Sequence, residues 1–334
     1  MKETFSRITV SFYRYIRISD PREFRDLLYS EWSALNCFGR IYIAREGINA
    51  QMSIPAHFHD EFISRLKNHE VLRDIPVRYA IEDDGKSFYK LTVKLRPQIV
   101  ADGLSEDEYD FMNVGRHLSA LEFHNLLDQP DTLVVDMRNH YESEVGRFNN
   151  AICPDADTFR EELEMTENIL KDKKDKKILL YCTGGIRCEK ASAFLRHKGF
   201  MDVNQLYGGI LEYVRQIRKL GLESKFKGKN FVFDNRLGER ITNEIISHCH
   251  QCGRLCDTHV NCTNEDCHLL FIQCEECRVK FNACCSEECS HILGLLPEDR
   301  KQYRQLFKEK YFNSKIFSSH RKRSSINKRI HLSF

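Results

Sequence analysis

The chain has 334 residues, 41% of them apolar and 30% charged, with a formal net charge of +2. At roughly 150 residues per domain this is material for two to three ordinary cores, which excludes a wholly disordered chain. No stretch reaches the roughly 20 apolar residues a membrane helix needs, and the alternating start MKETFSRITVSFYRY is not a signal-peptide core, so a soluble cytoplasmic protein with no membrane partner is expected.

Residues 7–18 alternate polar and apolar, as a half-buried strand does. Asp20-Pro21 then opens a helix to about Leu35: an acidic cap, proline at N1, and an apolar stripe of Phe24, Leu27, Leu28, Trp32 and Leu35. Residues 38–45 and 48–53 read as two strands around a Glu46-Gly47 turn. A helix at about 56–69 and strands near 76–81 and 88–95 complete a β-α-β-β-α-β order, that of an α+β ferredoxin-like (acylphosphatase-like) domain over 1–100. Such a domain is a binding platform and names no chemistry by itself.

Residues 101–115, ADGLSEDEYDFMNVG, are acidic and read as a linker. Beyond them the pattern is helix (Ser119–Leu127), strand (Thr132–Met137), helix (Asp157–Leu170), strand (Lys177–Cys182), helix (Arg187–Lys198), short strand (Val203–Leu206) and helix (Gly209–Lys219). Strands alternating with helices imply an α/β domain over 116–224, a mostly parallel sheet with helices on both faces.

Chemistry in such a sheet gathers at the carboxyl ends of its strands. Cys182 lies at that end of the apolar strand, directly before Thr183, Gly184, Gly185, Ile186 and Arg187. The two glycines let backbone N–H groups turn toward whatever Cys182 carries, the helix N-terminus adds positive potential, and Arg187 adds a fixed charge; all three favour a thiolate. Cys182 and Arg187 are therefore the expected catalytic pair, with Thr183, Gly184, Gly185 and Ile186 holding the substrate. Cys188 fits two roles, a second catalytic thiol that resolves a disulfide or persulfide, or packing at the helix start. Four residues separate Cys182 from Arg187, against five in cysteine phosphatases, and the tighter ring suits a persulfide sulfur better than a tetrahedral phosphate.

Ten of the fourteen cysteines fall between Cys249 and Cys289. Without an export signal such a cluster reads as metal binding before disulfides. The pairs Cys249/Cys252 and Cys274/Cys277 have the spacing by which one turn offers two thiolates to tetrahedral zinc. Cys256, Cys262, Cys267, Cys285 and Cys289 complete the candidate ligands, with His250, His259 and His268 as alternatives. The expectation is a structural, zinc-stabilised module over 225–295. Residues 301–334 carry ten Lys/Arg against Glu309 alone, a net +9 that leaves −7 on the rest. The 296–334 tail is thus either a phosphate-contacting extension or a solvated terminus.

The segment from Cys182 to Arg187 resembles a rhodanese active-site loop. Val135-Asp136-Met137-Arg138 with Tyr141-Glu142 upstream, and Leu206-Tyr207-Gly208-Gly209-Ile210 downstream, carry the same resemblance. It implies that Asp136 and Arg138 end an early strand, either as substrate-binding groups or as a buried ion pair. Three stretches are more specific: Ala44-Arg45-Glu46-Gly47-Ile48-Asn49-Ala50, Tyr181 through Lys190 with its second cysteine, and the order of the cysteine-rich region. Together they resemble the rhodanese-domain tRNA uridine hydroxylases over nearly the whole chain to about residue 295. One departure is Lys94-Leu95-Arg96-Pro97-Gln98, with Gln98 where that family has an acid. The resemblance implies oxygen-dependent hydroxylation of wobble-uridine carbon 5, with molecular oxygen as co-substrate and tRNA as partner. The enzymatic alternative is a sulfurtransferase carrying a persulfide on Cys182.

Overall fold

The computed structural model describes residues 6–104, 110, 112–265, 267–296 and 298–300. The basic tail from residue 301, and residues 105–109 of the expected linker, lie outside the described residues.

The first sheet is built from β1 (Arg7–Tyr15), β2 (Phe38–Ala44), β3 (Gly47–Pro55), β4 (Arg78–Tyr79) and β5 (Leu91–Leu95), in the order β4-β1-β3-β2-β5. β1 runs antiparallel to β3 in continuous register from Arg7 opposite Pro55 to Tyr15 opposite Gly47. The helices α1 (Pro21–Ala34) and α2 (His59–Asn68) cover one face. Asp20 caps α1 through its carboxylate, as the Asp-Pro pair indicates. Strand periodicity then divides the side chains. Val10, Phe12, Ile41, Ile43, Met52 and Ile54 pack with Leu28, Trp32 and Phe62 in the core. The intervening residues, Ser11, Tyr13, Arg40, Tyr42, Asn49 and Gln51, occupy the opposite, helix-free face. The ferredoxin-like order holds, with one correction. The closing strand is the two-residue β4, and the expected 88–95 strand is a fifth one, β5, parallel to β2 at the far edge.

The second sheet is parallel, in the order β6 (Arg116–Leu118), β10 (Asp202–Leu206), β9 (Lys177–Tyr181), β7 (Thr132–Asp136). Helices α3 (Ala120–Leu126) and α7 (Gly209–Lys219) cover one face, packing Phe123, Ile210, Tyr213 and Val214 on Val134, Leu179 and Leu206. Helices α5 (Phe159–Leu170) and α6 (Ile186–His197) cover the other, packing Leu163, Ala191 and Leu195 on Val135, Ile178 and Leu180. β9 is buried on both faces, which is why its sequence shows no alternation. The short β6, the one-turn α4 (His140–Ser143) and β8 (Gly146–Phe148) were not expected; each is too brief to show a period.

β8 pairs with β11 (Phe226–Asn230), and β11 with β12 (Glu239–Arg240), in a small antiparallel sheet. The cysteines ride on the hairpin β13 (His259–Asn261)/β14 (Leu270–Ile272) and on α8 (Glu275–Lys280) and α9 (Glu287–Gly294). Among the described residues no helix is long and apolar enough to cross a membrane.

A buried ion cluster ties the first sheet to the second. Lys190 Nζ on α6 lies 3.0 Å from Glu46 Oε2 and 2.7 Å from Asp102 Oδ2. Glu46 also accepts from the Ile99 N–H, and the Gln98 amide donates to Asp102. An amide at position 98 therefore complements Asp102, where an ionised acid would repel it.

Candidate active site

Cys182 follows β9 and is fully buried. Its Sγ accepts a hydrogen bond from the Gly185 N–H at 3.1 Å. Gly185 has φ +100° at the N-cap of α6, and a side chain there would meet the Tyr13 hydroxyl at 2.8 Å, so both the turn and the domain contact require glycine. Gly209 is needed for a close approach. A Cβ on it would lie 2.5 Å from the Cys182 carbonyl, which the start of α7 instead engages through the Ile210 N–H at 3.0 Å.

Burial pushes the Cys182 thiol up, but three influences overcome it: a hydrogen bond from the Cys188 thiol, the Arg187 charge, and the backbone N–H groups of Arg187 and Cys188. The net effect brings the thiol down to about 6. Cys188, also fully buried, moves the opposite way: desolvation and the adjacent Cys182 hold it as a neutral thiol. The two cysteines thus form a donor–acceptor pair in which only Cys182 ionises near neutrality. Arg187 is not a free charge. Its guanidinium forms a two-pronged pair with the buried Glu142 carboxylate, at 2.6 and 2.9 Å, which fixes the loop and balances the charge that would otherwise attract a phosphate.

Cys182, Thr183 and Gly184 form the floor of a cavity of about 410 Å³. Ser11, Tyr13, Tyr42, Asn49 and Gln51 from the helix-free face of the first sheet line it from above, and Phe233, Arg236 and Glu239 close a third side. The Gln51 amide donates to Asn49 Oδ1 at 2.7 Å, and the Asn49 amide to the Ile99 carbonyl at 3.2 Å, so these side chains are held in preset orientations. Thr183 Oγ1 has no hydrogen-bond partner among the described residues. The lid is anchored by Tyr13, whose hydroxyl donates to Glu189, and by Tyr15, whose hydroxyl donates to the Ile186 carbonyl. Glu189 also accepts from His117 and Gln205.

Of the sequence-predicted residues, the fold brings together Cys182, Thr183, Gly184, Gly185, Ile186, Arg187 and Cys188. Asp136 and Arg138 need correction as substrate-binding groups. Both are fully buried, and the Arg138 guanidinium is spent on Asp136 at 2.6 and 2.8 Å and on the Gly146 carbonyl at 2.6 Å. The pair pins β7 to β8, and neither residue lines the cavity. Glu142, Glu189 and the cavity-facing residues of β1 and β3 carried no assigned role in the sequence reading. The available signal was the polar half of the strand alternation, which named a face without saying what it opposed.

The cysteines sort into two sets of four, Cys249/Cys252/Cys274/Cys277 and Cys262/Cys267/Cys285/Cys289, with all sulfurs of a set within 4.8 Å of one another. A tetrahedron with Zn–S bonds of about 2.3 Å has edges of about 3.8 Å. Cys252–Cys274, Cys267–Cys285 and Cys285–Cys289 stand 3.6, 3.6 and 3.7 Å apart, so the donor sets fit that ion. Cys256 is the correction here. Its backbone pairs with Ser247, and its side chain joins an apolar cluster with Val145 and Phe231, outside both sets. The histidine alternatives also fall away: His250 pairs with Glu144 at 2.6 Å, His259 packs on Phe231, and neither it nor His268 joins a set.

The UPF0176 acylphosphatase-like domain model matches residues 7–99, the rhodanese-like domain model residues 119–216, and the rhodanase C-terminal model residues 227–290. A tRNA uridine(34) hydroxylase of Leptospira interrogans is 54% identical over 330 residues, 99% of this chain and 89% of the relative. Proteins of the same name from Erwinia tasmaniensis and Yersinia pestis are 54% and 53% identical over 305 residues, covering 91% of this chain and 87% and 86% of theirs. The chain belongs to the tRNA uridine(34) hydroxylase family.

Proposed function

We propose that this protein hydroxylates carbon 5 of the wobble uridine of tRNA in the cytoplasm, with molecular oxygen as co-substrate and Cys182 as nucleophile. The observation that carries the reading is a low-pKa thiol at the floor of a cavity roofed by preset amide and tyrosine side chains. A volume of about 410 Å³ lies within the range of small-ligand sites and suits a nucleotide turned out of its stack. Asn49 and Gln51 offer amide groups to the uracil edge, and the tyrosines offer faces for stacking.

The chemistry begins with the Cys182 thiolate adding to uracil carbon 6. The C5–C6 π electrons move onto carbon 5 and the C4 carbonyl, which makes carbon 5 an enolate-type nucleophile toward oxygen. Oxygen adds to carbon 5 as a hydroperoxide, and a small thiol reductant then supplies two electrons and two protons that cleave the O–O bond, releasing water, leaving the hydroxyl on carbon 5 and ending as its disulfide. Loss of the carbon 5 proton and departure of the thiolate from carbon 6 restore the double bond. Covalent catalysis of this kind divides one difficult step into easier ones. Cys188 supports the cycle by donating to the thiolate each time it is released. A tRNA carrying 5-fluorouridine, which has no proton to lose from carbon 5, is expected to form an adduct that Cys182→Ser abolishes. Absence of an adduct on wild-type protein would overturn the step.

The compact loop also supports the sulfurtransferase reading, because the Gly185 N–H is placed to stabilise a persulfide on Cys182. That reading leaves the amide-lined roof without a task. The two four-cysteine sets are proposed as structural zinc sites that hold the 249–289 region together. The basic 301–334 segment is proposed to add charge for the tRNA backbone.

A further inference from the structure

Arg78 stands out on the described surface of the cavity. It is only 7% exposed, yet among the described residues it forms no ion pair, and its one hydrogen bond runs from Nη1 to the Pro76 carbonyl at 3.3 Å. Glu212, whose carboxyl its charge helps to hold down, is already held by Arg215 at 2.7 and 3.1 Å and by the Gln216 amide. A buried cation without a counter-charge is strongly unfavourable, so a fold that retains one is prepared for an anion. The surroundings define where that anion would sit. The guanidinium carbon lies 5.4 Å from the Tyr13 ring centre and 5.7 Å from that of Tyr207, so the cation is within reach of both ring faces. Arg78 and Tyr13 both line the cavity that holds Cys182, while Tyr207 is 43% exposed to solvent. Arg78 thus lies within reach of a cavity-lining ring and of a solvent-exposed one.

We propose that Arg78 is a phosphate-binding subsite, its free N–H groups engaging one backbone phosphate beside the target uridine so that the base is directed onto Cys182. The inference rests on the tRNA reading above and adds a ligand group to it. Arginine suits this task because its fork takes two phosphate oxygens at once. Arg187 cannot serve, being committed to Glu142.

The test uses the full chain without oxygen and an anticodon stem-loop RNA, with the phosphates flanking the target uridine replaced one at a time by neutral methylphosphonates. Wild-type protein is expected to lose affinity sharply at one linkage. Arg78→Gln should bind the natural RNA roughly ten- to a hundredfold more weakly, lose nothing further at that linkage, and show a log–log salt slope shallower by about 0.7. Arg78→Lys, which keeps the charge and loses the fork, should fall between. An alkylation midpoint for Cys182 near pH 6 shows that the loop is intact in each variant; if the glutamine variant lacks it, the lysine variant carries the comparison. Losses that multiply at every linkage, or a glutamine variant that binds as wild type does, would overturn the assignment. If Arg78→Gln leaves RNA binding unchanged and weakens only protection of Cys182 by thiosulfate, the anion is a small sulfur oxyanion and the phosphate assignment falls. Wild-type protein that binds no tRNA would instead overturn the tRNA reading itself.

Discussion

The donor–acceptor pair of Cys182 and Cys188 gives a prediction with its own control. Burial alone would raise the Cys182 thiol; it sits at about 6 because the Cys188 thiol, the Arg187 charge and two backbone N–H groups stabilise the anion. A hydrogen bond to a charged group is worth about 1.5–3 kcal/mol, and one pKa unit corresponds to about 1.4 kcal/mol. Cys188→Ala removes the side-chain donor and should move the Cys182 midpoint up by about one to two units. Cys188→Ser keeps an O–H donor and should leave the midpoint near 6. The assay is the pH dependence of iodoacetamide modification, read at the Cys182 peptide by mass spectrometry so that the other cysteines do not interfere. The same shift has a stability consequence. A depressed thiol pKa contributes stability that is fully present above the unfolded value of about 8.5 and is lost as pH falls through about 6. Equal midpoints in the alanine and serine variants would refute the claim that Cys188 acts as a donor.

Three further outcomes follow from the same geometry. Lys190→Met leaves Glu46 and Asp102 as buried carboxylates without their cation and should destabilise the joined sheets by about 3–5 kcal/mol, seen as earlier urea unfolding and faster proteolysis near residue 100; unchanged unfolding would refute the clamp. Metal analysis should find two zinc ions per chain, unchanged in Cys256→Ser and reduced to one in Cys274→Ser; a loss on Cys256→Ser would contradict the ligand sets. The Glu189 hydrogen bond raises the His117 pKa, so its contribution to stability is present below about 6.5 and lost as pH rises through the raised value. Glu189→Gln should lower the His117 midpoint in an NMR titration.

Much of this arrangement was legible in the sequence because it is local. The Asp20 cap and the alternation of β1 are set within a few residues, and so is the loop from Cys182 to Arg187. What sequence could not supply depended on chain segments meeting across domains. Glu46 and Lys190 stood in two separate stretches that each resembled the family, and only the fold shows that they touch. Asp136 and Arg138 fit either a binding pair or a buried ion pair by residue type alone, and their burial in the fold favours the ion pair. Cys256 stands in the same cysteine-rich run, and only the fold shows that it packs beside Cys249 and Cys277 without joining their set of four. His117 had no partner within reach along the chain; Glu189 reaches it from α6 across the end of the parallel sheet. The closing strand of the first sheet falls within the expected 76–81 stretch but is only two residues long, and the pairing of β5 with the far edge at β2 is a long-range contact that no local pattern shows.

The most direct test of the central claim is nucleoside mass spectrometry of tRNA from cells lacking this gene, and having no second route to the nucleoside, complemented with wild-type protein or with Cys182→Ser. 5-Hydroxyuridine and its derivatives are expected to be absent without the gene, to return with wild-type protein and to stay absent with the serine variant. Full 5-hydroxyuridine in the serine-complemented strain would contradict the role of Cys182, and an unaltered profile on deletion would contradict the hydroxylase reading as a whole.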